Sequence, residues 1–197
     1  SISSHNSINL PNLCPHFHLS MQSGCDSVLA RMNRKYDSER YYESVKLLNE
    51  AYETPGITTD LIVGFPGETE EEFQQTLAFI RRCAFSAMHI FPYSRRPGTP
   101  ADGMPGQILN SVKEERAHRA QQAALEMEAA YLDRWVGRTV PVLFEKERDG
   151  LWRGHTTRYS EVAAPSGENL HNQLRQVYIT GRAGNTLQGE LCEGQEK

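Results

Sequence analysis

Three short segments of this chain place glycine beside polar or charged side chains: Gln22-Ser23-Gly24-Cys25-Asp26, Gly64-Phe65-Pro66-Gly67-Glu68-Thr69, and Pro92-Tyr93-Ser94-Arg95-Arg96-Pro97-Gly98-Thr99-Pro100. A glycine lets the backbone approach a flat or anionic ligand, and the first N–H groups of a helix favour negative charge. In the second segment the same residues also suffice for an ordinary tight turn feeding a helix. In the third, Arg95 and Arg96 beside Tyr93 suit a phosphate and a stacked base, or else are solvated surface arginines. Arg34, Asp60 and Glu68 are charged candidates near these loops, with a structural ion pair as the alternative for each.

The four cysteines, Cys14, Cys25, Cys83 and Cys192, lie too far apart for a close-spaced thiolate motif, so no metal site is expected from them. They read as ordinary thiols of a reducing compartment, although Cys25 falls in a loop where a functional position is plausible. No run of about 18 apolar residues marks a membrane span, and the start lacks a basic-then-apolar leader. The cytoplasm is the default location.

The elements that would position the three loops follow from periodicity. Strand patterns at Phe17–Met21, Thr59–Val63 and Ala87–Phe91 alternate with helical stripes: Tyr41, Val45, Leu48, Tyr52, and then Phe73, Leu77, Ile80, Ala84. That order predicts βα units on a parallel sheet, whose strands end on one face, so the loops meet at one mouth. Thr69 and Glu72 predict a capping box on the second helix, with Glu70 and Glu71 complementing its dipole. Three such units are too few to close a barrel, so further chain is expected before residue 1. Residues 1–13 are left as a remnant or leader, and 14–109 form the α/β part.

A long helix is expected from Asn110 to Val136, packing on that part through Ala120, Ala124, Met127, Tyr131 and Trp135, widened by Leu125, Ala129 and Leu132. Beyond Gly137 the texture becomes β-rich: Thr139–Glu147, Leu151–Thr157, Glu161–Ala164, Gln176–Gly181 and Thr186–Leu191, with Asp149-Gly150 as a hairpin signal. Five short strands predict a small antiparallel barrel over 137–191, followed by a tail at 192–197.

The net charge of −4 does not advertise a nucleic-acid binder. Residues 1–109 carry nine basic and twelve acidic groups, 110–136 four and five, and 137–197 eight and eight. Only the last part escapes the acidic bias, so any RNA contact must come from local clustering. Arg153, His155, Arg158, Tyr159 and Arg175 mix cations with an aromatic ring in that manner, while Glu145, Glu147, Asp149 and Glu161 keep an ordinary charged surface in play.

Pro15-His16-Phe17-His18-Leu19-Ser20-Met21-Gln22-Ser23-Gly24, Leu29-Ala30-Arg31-Met32-Asn33-Arg34-Lys35-Tyr36, Asp60 through Phe73, and Tyr93 through Ala101 together resemble the radical S-adenosylmethionine methylthiotransferases. The resemblance covers roughly residues 14–191, since the terminal barrel is similar to the family's TRAM domain, a small OB-like RNA-binding barrel. It implies a partial TIM-type barrel that binds S-adenosylmethionine on a four-iron cluster and generates a deoxyadenosyl radical. That radical takes hydrogen from carbon 2 of an adenine in tRNA, while a second 4Fe-4S cluster supplies sulfur. By the same resemblance Gln22 and Ser23 fall where the ribose or amino-acid part of the cofactor lies. Ile62, Gly64, Phe65, Pro66 and Gly67 fall on the adenine side, and Phe91 and Tyr93 on the last strand.

The sequence departs from the family pattern at one point: it lacks a Cys-x3-Cys-x2-Cys motif and the amino-terminal domain. The chain alone is therefore expected to hold no cluster and to be inactive. The segment His89-Ile90-Phe91-Pro92-Tyr93-Ser94 resembles the branch acting on threonylcarbamoyl-adenosine beside the anticodon. Branches acting on isopentenyl-adenosine or a ribosomal protein share much of the rest. The implied partners are a tRNA anticodon stem-loop and the missing amino-terminal half, with no membrane and an open oligomeric state. Two other classes compete: a non-catalytic RNA-binding fragment, and an independent barrel lyase or aldolase, which the absence of a lysine after a strand disfavours.

Overall fold

A computed structural model describes residues 14–192; the leader at 1–13 and the end of the tail at 193–197 lie outside the described residues. The chain divides into two compact units, one including Phe17–Met127 and the other including Glu128 onward.

In the first unit the sheet order is β1 (His16–His18), β2 (Gly56–Val63) and β3 (Ala87–Pro92), with β2 and β3 parallel in register Asp60↔His89 and Ile62↔Phe91. Burial alternates along β2: Ile57, Thr59, Leu61 and Val63 are buried while Thr58, Asp60 and Ile62 are half-buried. The buried side packs with α2 (Ser38–Ala51) through Tyr41 and Val45, and with α3 (Glu70–Cys83) through Phe73, Leu77 and Ile80. Removing such apolar faces from water is the main stabilising contribution, about 25 cal/mol per Å². The capping box on α3 forms: Thr69 accepts from the Glu72 N–H, and the Glu72 carboxylate accepts from the Thr69 N–H at 3.0 Å.

The first strand is shorter than the sequence pattern Phe17–Met21 suggests. Beyond His18 one backbone bond remains, from the Leu19 N–H to the Thr58 carbonyl at 2.9 Å, and then side chains take over: Tyr41 Oη donates to the Leu19 carbonyl at 2.7 Å, and Thr59 Oγ1 accepts from the Met21 N–H at 3.1 Å. Pairing resumes only at an isolated Gln22–Leu61 bridge, where Gln22 takes φ 71°. A six-residue helix α1 (Asp26–Arg31) follows, too short to leave a periodic signal in the sequence.

Helix α4 (Asn110–Asp133) contributes Ala120, Ala123, Ala124 and Met127 to the first core, and Tyr131 and Leu132 to the second. It stops short of the expected Val136: the N–H groups of Arg134 and Trp135 bond the carbonyls of Tyr131 and Leu132, three residues back, so the end tightens into turns before Gly137 takes φ 83°. Leu125, expected on the apolar face, is instead exposed, and Ala123 takes the buried position. A small side chain there permits close packing of the helix.

The second unit is a closed barrel of β4 (Thr139–Arg148), β5 (Leu151–Thr156), β6 (Glu161–Pro165), β7 (Leu174–Ala183) and β8 (Thr186–Leu191). The order is β4-β5-β6-β8-β7, closed by the β4–β7 pair. One neighbouring pair, β6 with β8, is parallel, so the barrel is not antiparallel throughout. Asp149 and Gly150 both take positive φ, 54° and 79°, the turn that matches strand twist in a two-residue hairpin. Val142, Phe144, Val162, Ile179 and Leu187 fill the interior.

Candidate functional site

The carboxyl ends of β2 and β3, with the loop after β1, enclose a cavity of about 580 Å³ lined by Gln22, Ile62, Phe91, Tyr93, Arg96 and Thr99, among others. Its size falls within the usual range for small-ligand pockets, about 300–1,000 Å³. Ile62 and Phe91 are register partners with adjacent side chains on one face of the sheet. Phe91 is 52% exposed, an unusual state for an apolar ring on a strand. Gln22 holds its position with a left-handed backbone, the kind of local strain that concentrates at functional sites. Tyr93 Oη is buried with no hydrogen-bond partner among the described residues. An orphaned hydroxyl of this sort costs about 1–3 kcal/mol unless something bonds it.

The Gly64–Thr69 loop takes the tight turn into a capped helix that its sequence allowed as the alternative to a ligand loop. Phe65 is buried against Cys25 and Val28 and meets Tyr93 edge-to-face at 5.3 Å, while Pro66 is buried beside it. A Cβ on Gly64 would strike the Lys113 stem, and φ there is 71°. Gly67 is exposed, with φ 76°, and donates its N–H to the Gly106 carbonyl at 2.9 Å. Glu68, 3% exposed, accepts from the Gly64 N–H at 2.7 Å and from Arg116 at 2.7 Å. Burial pushes its carboxyl up, against the Gly64 N–H and the Arg116 charge, which both lower it. Glu68 is thus a structural ion pair, and Gly64 makes room for Lys113.

Ser23 likewise turns inward: it is 1% exposed, and its Oγ accepts from the Cys25 N–H at 3.2 Å. Arg34 is exposed and does not line the cavity. Arg95 is committed to Asp102 at 2.9 Å, whereas Arg96 lines the cavity. Of the twelve residues the sequence suggested for a cofactor, the cavity brings together Gln22, Ile62, Phe91 and Tyr93. Asp60 lies on the same face as Ile62, one side-chain repeat away, and its two oxygens face His18 and His89, each at 3.3 Å.

Several contributors escaped the sequence reading. His18 and His89 were legible in principle from the alternation that places Asp60 and Phe91 on one face. Lys113 and Arg116, both under 10% exposed, were not, since a cation buried by helix docking leaves no sequence period. Lys113 Nζ donates to the Tyr93 carbonyl at 3.0 Å, so α4 fastens the ends of both β2 and β3.

On the barrel, the expected cations are largely engaged. Arg153 pairs with Glu161 at 3.2 Å, Arg175 with Glu168 at 3.1 Å, and His155 approaches Glu145 at 3.4 Å. Arg158 lies over the Trp135 ring at 4.6 Å. Tyr159, 73% exposed, stacks on His155 at 5.1 Å between centroids. Cys83 is buried and its thiol is pushed up to about 12 by burial, and no cluster of three or more His, Cys, Asp or Glu suited to a metal occurs among the described residues.

Residues 8–80 match the family described as the Radical SAM superfamily. A tRNA-2-methylthio-N(6)-dimethylallyladenosine synthase of Maricaulis maris is 38% identical over 92% of this chain and 40% of its own length. One so named from Oleidesulfovibrio alaskensis is 45% identical over 80% of this chain and 34% of its own length. The threonylcarbamoyladenosine tRNA methylthiotransferase MtaB of Bacillus subtilis is 37% identical over 83% of this chain and 38% of its own length. The chain therefore spans about 40% of the length of curated relatives it matches. Escherichia coli coproporphyrinogen III oxidase, titled a radical SAM enzyme, superposes at a TM-score of 0.49 with 20% identity over 58% of this chain and 27% of that one, too slight a likeness to establish a shared fold.

Proposed function

We propose that this chain is the carboxyl-terminal part of a radical S-adenosylmethionine tRNA methylthiotransferase, comprising the end of a partial radical SAM barrel and a TRAM-type RNA-binding barrel. The observation that carries the reading is the cavity at the strand ends, with Gln22, Ile62, Phe91 and Tyr93 among the residues on its wall. A flat, partly exposed phenyl ring beside an aliphatic side chain fits an adenine, and the Gln22 amide in the same lining fits a ribose or amino-acid oxygen. S-adenosylmethionine fits these residues; bound beside a cluster, it supplies the hydrogen-abstracting radical and the methyl group.

The residues present do not fit the clusters themselves. Cys25 and Cys83 are buried and Cys14 and Cys192 exposed, with no metal-suited grouping among the described residues. In this reading both clusters belong to the amino-terminal part of a longer protein. What this chain contributes is binding and orientation: a wall for the cofactor, loops fixed by α4, and a barrel for the anticodon stem-loop in the cytoplasm.

Within the family, the segment His89 through Ser94 favours threonylcarbamoyl-adenosine as the substrate nucleoside, whereas the names of two of the three relatives given above favour dimethylallyl-adenosine. The experiment is to incubate the reconstituted full-length protein with stem-loops carrying either nucleoside and to read digested nucleosides by mass spectrometry. Methylthiolation of the threonylcarbamoyl form is expected. Modification of the dimethylallyl form alone would reassign the branch, and modification of neither would leave the RNA-binding fragment as the better reading.

A further inference from the structure

Asp60 lies between two imidazoles on the face that carries the cavity wall. His18 Nε2 lies 3.3 Å from Asp60 Oδ2, and His89 Nδ1 lies 3.3 Å from Asp60 Oδ1. The His18 Nδ1 also has a partner, Thr58 Oγ1 at 3.0 Å. His89 Nε2 has no hydrogen-bond partner among the described residues, and its side chain is 66% exposed. A carboxylate only accepts hydrogen bonds, so the nitrogen facing it must carry the proton. Asp60 thereby holds His89 as the Nδ1–H tautomer and leaves a lone pair on Nε2.

Register fixes the face on which this imidazole stands, beside the cavity lining and not within it. His89 pairs with Asp60 exactly as Phe91 pairs with Ile62, and both pairs stand on one face because side chains alternate along a strand. The imidazole therefore sits one repeat, about 6.6 Å, along the sheet from the Ile62–Phe91 wall. Resting on the nucleoside-binding reading above, we infer that His89 Nε2 is a hydrogen-bond acceptor for an adenosine bound as substrate, taking an exocyclic N–H or a ribose O–H, with Asp60 as the positioning residue. His18, whose two nitrogens both have partners, buttresses Asp60 and does not reach the ligand.

Two measurements test this. In the chain labelled with ¹⁵N-histidine, long-range proton–nitrogen spectra should show His89 as the Nδ1–H tautomer, and Asp60→Ala should redistribute it; an unchanged tautomer in Asp60→Ala, or an Nε2–H form in the parent, overturns the role of Asp60. In the full-length protein, His89→Phe keeps the ring and removes the acceptor. Its dissociation constant for free adenosine should rise about three- to tenfold, the loss of one neutral hydrogen bond, while that for S-adenosylmethionine moves less than about twofold. Loss confined to S-adenosylmethionine, equal loss on both ligands, or no change on either overturns the inference. Failure of the parent to bind either ligand would instead remove the nucleoside-binding reading on which it rests, and the inference with it. Equal melting temperatures for His89→Phe and the parent exclude a folding defect.

Discussion

Arg116 Nη1 lies 2.7 Å from Glu68 Oε2, and that same oxygen accepts the Gly64 backbone N–H at 2.7 Å. Both side chains of the pair are about 5% exposed or less, so Glu68 depends on Arg116 for its charge, while Arg116 also has Glu70 at 3.7 Å. The loop after β2 is therefore fixed by a residue on α4, 48 positions further along the chain. Removing one partner of a buried pair strands the other, at a cost of about 3–5 kcal/mol. Arg116→Met should lower stability in denaturant titration by an amount of that order. Glu68→Gln should cost less, because its amide oxygen still accepts from Gly64. A loss under about 1 kcal/mol for Arg116→Met would show that the pair is hydrated.

Glu72 makes stability depend on acid. Hydrogen bonds from Arg31 chiefly, with Ser27 and the Thr69 N–H adding, hold its carboxyl at about 2 against an ordinary 4.5. Because the folded value is depressed, the contribution is complete above about 4.5 and is lost as pH falls through about 2. The melting temperature should drop across that window, and Glu72→Gln should flatten the drop while lowering stability at neutral pH. An identical pH profile in the variant would assign the acid sensitivity to other carboxylates.

The barrel's arginines set an RNA expectation opposite to that of unpaired cations. Arg153 is already paired with Glu161, so binding a phosphate there exchanges one anion for another and releases few counterions. Arg153→Ala should leave the salt dependence of stem-loop binding nearly unchanged. Glu161→Gln should steepen the log–log slope by about one, by freeing Arg153 for phosphate. A shallower slope in Arg153→Ala would show that Glu161 yields its partner to RNA.

After anaerobic reconstitution the chain should carry no stoichiometric iron and no charge-transfer absorption, since a cluster requires several thiolates in one place. Cys83 sits within the first hydrophobic core, and burial pushes its thiol up to about 12, away from the thiolate a ligand must be. A four-iron paramagnetic signal from the chain alone would contradict this.

The sequence revealed what periodicity governs and missed what docking governs. Tyr41 and Val45, Phe73 and Leu77, and the Asp149-Gly150 turn all carry local signals strong enough to place their elements. The end of β1 did not, because after the Leu19–Thr58 backbone bond the Thr59 and Tyr41 side chains take the Leu19 carbonyl and the Met21 N–H. At the site, Phe91 and Ile62 were named through the family resemblance alone, and the structure makes them register partners beside the cavity. Ser23, Glu68 and Gly64 were misdirected inward by partners distant in sequence: Thr76 for the first, Arg116 for the second and Lys113 for the third. A loop motif alone cannot distinguish a glycine that admits a ligand from one that admits a lysine.

That distinction is testable at Gly64. Its φ of 71° disfavours any side chain, and an added β-carbon would also strike the Lys113 stem. Two costs are therefore superimposed in Gly64→Ala: backbone strain of about 1 kcal/mol and a steric clash of about 1–3 kcal/mol. Lys113→Ala removes the clash and leaves the strain, but gives up the bond from Nζ to the Tyr93 carbonyl at 3.0 Å. In a double-mutant cycle the two substitutions should be less damaging together than the sum of their separate effects, by about 1 kcal/mol or more. Strict additivity would mean that Lys113 moves aside without cost. If Gly64 instead served only to admit a ligand, Gly64→Ala would leave unliganded stability changed by the strain alone, and Lys113→Ala would recover none of it. Denaturant midpoints of the four proteins, measured without ligand, decide between a glycine that accommodates a ligand and one that accommodates Lys113.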